Sequence, residues 1–223
     1  MTSAYEHGGV RQGAAIGASG SATESMGGIA VIVLAILSLV GIIPAILAPI
    51  AAIVFGVAFF IEGAALGAKQ TALMDAAAAG EIQRMELGGG VTVEVMTGIG
   101  CAVLGILSLI GIANAYLLPI AVIVAGAGLI LSAGAVQGLN DLSASVYNLS
   151  AAVQSMARRA VSGAAAAQLM AGAATLALGI IALCRNLPYP SVLTMVGLLI
   201  AGISITLSGA ALSGNLLRLF RRA

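Results

Sequence analysis

Charge is what this chain has least of. Only 8% of its 223 residues are Asp, Glu, Lys or Arg, while 61% are hydrophobic. A water-soluble domain carries about a quarter charged residues, so water is excluded as the main solvent. The net charge of +1, without a basic run, also removes the electrostatic footprint of a nucleic-acid partner. Histidine is nearly missing: His7 is the only one and sits in the N-terminal tail, so neither a histidine-built metal site nor a His-based triad can be assembled. Cys101 and Cys184 lie in apolar segments without CxxC or Cys/His spacing, and the expectation is two small buried apolar residues rather than a disulfide or a metal site. Met1 to Glu24 lacks the basic and apolar regions of a signal peptide, so the first helix is expected to act as its own insertion signal.

What the chain does have is long apolar runs. Crossing about 30 Å of hydrocarbon takes about 20 helical residues, and several stretches approach or exceed that length. Lipid offers no partner for backbone N–H and C=O groups, and the runs are too long and too little alternating for barrel strands, which leaves helices.

The runs repeat. Glu24-Ser25-Met26-Gly27-Gly28 returns seventy residues later as Glu94-Val95-Met96-Thr97-Gly98. Ile36-Leu37-Ser38-Leu39-Val40-Gly41-Ile42 returns as Ile106-Leu107-Ser108-Leu109-Ile110-Gly111-Ile112, Pro49 falls on Pro119, and Gly56 on Gly126. A weaker third copy carries Gln168-Leu169-Met170-Ala171-Gly172, then Leu178-Gly179-Ile180-Ile181, and brings Gly202 onto Gly126 after a slightly longer loop. The expected fold is therefore an all-α membrane protein with six transmembrane helices arranged as three repeated helix hairpins.

Pro44, Pro49, Asn114, Pro119, Asn186, Pro188 and Pro190 cluster between apolar runs and are read as turn residues. The expected spans are 26–43, 49–67, 96–113, 118–138, 168–184 and 191–215. The domain plan is a flexible N-terminus over 1–25, hairpins over 26–67, 96–138 and 168–215, linkers over 68–95 and 139–167, and a basic C-terminus over 216–223. Both linkers read as amphipathic. Leu73, Met74, Ala77, Ile82 and Met85 stripe the first, and Leu139, Leu142, Val146, Leu149, Val153 and Met156 the second. Such helices can lie on the bilayer surface, pack on each other, or bind a partner.

Apart from Arg185, every Lys and Arg falls in the termini or the linkers. The positive-inside rule then places both termini and both linkers in the cytoplasm, and the expected setting is the inner membrane of a prokaryote. The opposite turns are almost uncharged and are expected either to sink into the headgroups or to be covered by a partner.

Six polar residues stand out. Glu62 is the one acid well inside a span, with Ser132 and Ser208 at its repeat positions. An intramembrane carboxyl is a candidate proton carrier or ligand anchor, although one near the interface can also be structural. Glu24, Glu94 and Gln168 occupy the start of the first helix of each repeat, where capping is the simpler expectation and a binding ring the alternative. Gly63 with Gly67, Gly134 with Gly138, and Gly209 form small-xxx-small patterns for close helix packing, within one chain or between chains.

Leu104-Gly105-Ile106-Leu107, Leu118-Pro119 and the stretch from Gly202 to Ser208-Gly209 resemble the HdeD family of small bacterial membrane proteins associated with acid resistance. The likeness covers the six spans and not the linkers. It implies repeated helix pairs and a stress-related role. Three helix pairs also invite comparison with mitochondrial carriers, but no repeat has their charged Pro-x-Asp/Glu-x-x-Lys/Arg motif. Each copy contains an even number of spans, so the copies share one orientation and are not inverted repeats.

Too few polar groups are evident to build a catalyst, and no catalytic residue, cofactor or metal is expected. The sequence points to a non-enzymatic structural or accessory membrane protein that acts through helix packing, assembly and lipid contact, as a homo-oligomer or a subunit of a larger assembly. The alternative is a small transporter or channel with a pathway between the hairpins.

Overall fold

The computed structural model describes residues 23–77, 81–146, 151–184 and 190–220. Six helices account for nearly all of them: α1 (Thr23–Leu39), α2 (Pro44–Ala77), α3 (Glu81–Leu109), α4 (Asn114–Val146), α5 (Ala151–Ala182) and α6 (Pro190–Phe220). No strand occurs among the described residues. The α2 to α6 helices each contain a stretch long and apolar enough to cross a membrane, and α1 is a shorter apolar helix. The stripes read in the two linkers, and Gly138, fall on residues whose side chains lie outside the described set.

The first two hairpin turns are tighter than expected. Pro44 to Pro49 does not form the turn: Pro44 opens α2, and Pro49 and Pro119 lie inside α2 and α4. Proline suits the first helical position, where its missing N–H would have had no partner. Pro49 costs only the bond to the Ala45 carbonyl, on an exposed residue near the helix start. The reversal itself is confined to 40–43. Gly41 donates to the Ser38 carbonyl at 3.1 Å and Ile42 to the Leu37 carbonyl at 3.0 Å. Gly111 and Ile112 repeat the pair onto Ser108 and Leu107, both at 3.0 Å. These are Schellman caps, whose left-handed residue is supplied by Gly41 (φ 91°) and Gly111 (φ 89°). The third copy has Arg185 where the others have glycine, and that residue lies outside the described set. Leu183 instead ends α5 by bonding back to the Gly179 and Ile180 carbonyls.

α2, α4 and α6 meet one another in the centre, and the outer helices pack in the gaps. α3 lies against α2 and α4, and α5 against α4 and α6. α1 touches α2 through Gly27 and Ala58, and α6 through Gly28 and Gly202, which closes the ring. Matching positions on the three central helices form tiers of a single core: Ala52, Val122 and Leu198, then Phe55, Ala125 and Ala201, then Phe59, Leu129 and Ile205. Phe55 stacks on Phe59 with centroids 5.4 Å apart. One large ring stands opposite two alanines in the second tier, a combination of volumes that close interior packing favours.

The outward faces are apolar. Met26, Ile29, Val33 and Ile36 on α1, and Met96, Ile99, Val103 and Ile106 on α3, are all exposed. A surface of this kind suits lipid rather than water.

Candidate functional site

The Glu-x-Met-x-Gly pattern spreads its three residues over two faces of a helix. Positions four apart share a face and a position two away lies opposite. Met26, Met96 and Met170 accordingly point outward, each at least 65% exposed. The glycine meets the central helix of a neighbouring hairpin. A Cβ on Gly98 would lie 2.7 Å from the Gly56 carbonyl oxygen, one on Gly126 2.7 Å from that of Gly172, and one on Gly28 2.7 Å from that of Gly202. These three glycine pairs set the spacing of the bundle, and backbones this close gain dispersion and Cα–H···O contact.

The first residue of the pattern points inward. Glu24 and Glu94 are fully buried and Gln168 is 3% exposed. Capping therefore does not describe them. Glu81 begins α3 and Ala151 begins α5, so Glu94 and Gln168 lie well inside their helices, and the Glu24 carboxyl is spent on the interior of the bundle.

All six polar candidates are buried, and their contacts join them in two groups at one end of the core. Gln168 donates from Nε2 to Ser132 Oγ at 2.9 Å. Glu24 lies within reach of both the Glu62 carboxyl and the Ser208 hydroxyl. Glu94 is close enough to Glu62 to feel its charge, and its Cβ packs against Gly63. Glu62, Ser132 and Ser208 form the next tier of the central helices beyond Phe59, Leu129 and Ile205. Each inward outer-helix residue thus faces the matching position of an inner helix.

The two halves of this layer are satisfied differently. The Gln168–Ser132 pair is complete, and Ser132 also donates to the Leu129 carbonyl at 3.4 Å. In the acidic half, both oxygens of Glu24, both of Glu94 and Oε2 of Glu62 are buried without a hydrogen-bond partner. Glu24 and Glu62 come close without a formed bond because carboxylates can only accept. Among the described residues, no group of His, Cys, Asp and Glu is arranged to hold a metal ion.

The other sequence candidates separate. Gly63 and Gly67 pack on α3 against Val95 and Val91, within the chain. Gly134 is exposed, and among the described residues nothing packs on it. The residue at the repeat position of Gly63 is Ala133, which is buried, as is Gly209 in the third copy. The glycines of the three recurring pairs, Gly28, Gly56, Gly98, Gly126, Gly172 and Gly202, were visible as repeat matches but carry no GxxxG spacing. Cys101 is buried, as expected, and donates to the Ala121 carbonyl at 3.5 Å, whereas Cys184 is exposed because it follows the end of α5.

No family model matches the chain, and comparison with curated proteins and with solved structures finds no match.

Proposed function

We propose that the chain is a small membrane carrier of three hairpins and six spans, with its binding centre in the layer of Glu24, Glu62, Glu94, Ser132, Gln168 and Ser208. One observation carries this reading: the three carboxyls buried in these helices, Glu24, Glu62 and Glu94, come together instead of being scattered. Ionisable groups in a membrane interior are expensive, and a collection of them is the usual mark of an ion or solute path. The convergence also weighs against the accessory reading, which rested on there being too little polar chemistry to converge.

Support for the triplicate arrangement comes from contacts that recur at matching positions, with Gly56 on Gly98, Gly126 on Gly172 and Gly202 on Gly28. Support for α1 as the sixth span comes from the outward apolar stripe it shares with α3. The distribution of Lys and Arg favours a cytoplasmic position for the polar end and both termini. The three apolar tiers beyond the layer favour a carrier that rearranges over an open pore, since their side chains fill the axis.

A second reading is a scaffold or accessory subunit like the one the HdeD resemblance implies, self-associating or assembled with other membrane proteins. The interlocked glycine pairs favour it, because they make a rigid body with an apolar exterior suited to lipid contact. Proteoliposome flux of protons and small solutes separates the two. The carrier reading expects measurable flux from the intact protein and a clear loss in Glu62→Gln. Equal and negligible flux in both would leave the scaffold.

A further inference from the structure

The acidic half of the layer poses a charge problem that no other described side chain solves. Glu24 projects from α1, Glu62 from α2 and Glu94 from α3. Beyond one another, the group that reaches them is Ser208 on α6, and the matching positions on α4 and α5 are Ser132 and Gln168, all uncharged. Lys69 is about two turns further along α2 and is not among the groups acting on any of the three carboxyls. Carboxylates held together in a site of low polarity need a compensating positive charge.

The geometry restricts what can supply it. The five unpartnered oxygens, Glu24 Oε1 and Oε2, Glu62 Oε2, and Glu94 Oε1 and Oε2, are out of reach of a water molecule. A hydrated or organic cation is larger than water and has no space against them. The absence of a metal-holding arrangement among the described residues agrees with this. A proton needs no volume of its own and turns an acceptor-only carboxylate into a donor.

We infer that Glu24, Glu62 and Glu94 form a proton-binding site. One proton from the aqueous phase forms an O–H bond on either Glu24 or Glu62 and is shared with the other as O–H···O. A second forms an O–H bond on Glu94, which leaves the trio with a single negative charge. The neutral half, Gln168 with Ser132, is the same contact with its donor built in covalently: an amide stands where the other repeats have an acid and a proton. This inference deepens the carrier reading by naming the ligand of its site, and rests on that reading only for coupling the proton to transport.

Infrared spectroscopy of the full chain in lipid vesicles tests it, through the C=O stretch of protonated carboxyl groups at neutral pH and its shift in D₂O. The wild type is expected to show this band. Glu24→Gln, Glu62→Gln and Glu94→Gln should each remove part of it, with Glu62→Gln removing most because it faces both other acids. Glutamine matches a protonated glutamate in shape, so these variants should fold. The wild-type measurement is decisive even if one does not. A second readout is thermal stability against pH: a folded state that binds more protons than the unfolded one loses stability as pH rises, and Glu62→Gln should flatten that slope. A wild-type spectrum with carboxylate bands only, or a band unchanged in all three variants, would overturn the inference. A band without proteoliposome flux leaves the proton site standing and removes the carrier; flux without the band does the reverse.

Discussion

At the scale of single residues, the bundle turns on where a hydrogen replaces a methyl. A Cβ at Gly98 would come within 2.6 Å of the Phe60 backbone nitrogen and 2.7 Å of the Gly56 carbonyl oxygen, both parts of a rigid helix. Gly98→Leu should therefore push α3 off α2 and lower stability by about 1–3 kcal/mol or more, the range for overpacking. Gly134→Leu should leave stability unchanged, since no described atom lies within 4 Å of a Cβ there. Thermal unfolding in mild detergent compares the two directly. The sequence made the inward acids legible by their recurrence, but not their role. Near an expected helix start an acid suggests a cap, and only the early beginnings of α3 and α5 reassign Glu94 and Gln168 to the interior. The glycine pairs escaped notice for a related reason. Their partners lie on different helices, and spacing along one helix says nothing about what faces it.

The hairpin is the natural element. Its turn holds two residues of positive φ with opposite fitness for it: Gly41 at 91° and Ile43 at 39°, mirrored by Gly111 at 89° and Ala113 at 43°. No atom lies within 4 Å of a Cβ on Gly41, so Gly41→Ala isolates the backbone term. It should destabilise by about 1–2 kcal/mol, the cost of a left-handed L-residue. Ile43 already bears that cost, and its side chain is 61% exposed, so Ile43→Gly should be neutral or stabilising. Chemical denaturation of the two variants shows whether the signs are opposite. The presence and order of the apolar helices were readable from run length and periodicity. Turn limits were not, because proline both breaks helices and begins them. Pro44 does the second, and only the Gly41 cap in the chain just before it distinguishes the cases.

For the whole molecule, the central tiers record how three unequal helices share one axis. Phe55 fills a tier in which α4 and α6 contribute only Ala125 and Ala201. Phe55→Ala should open a cavity and cost about 3–5 kcal/mol. If the helices are equivalent about the axis, Ala125→Phe should overpack alone yet recover a large part of the loss when combined with Phe55→Ala. Thermal stabilities of the two single variants and the double variant give the coupling directly. Additive losses would show that the positions do not share a tier. Nothing in the sequence announced this sharing, since volume is conserved across three helices rather than along any one of them.

The contrasting environments of the two cysteines have a practical meaning. Cys101 is sealed against the Ala121 carbonyl, while Cys184 stands exposed just past the end of α5. The protein therefore carries one addressable thiol and one silent one, a built-in labelling point just past α5. A dye or spin probe attached there reports on the end of the molecule opposite the acids, without any change to the native chain.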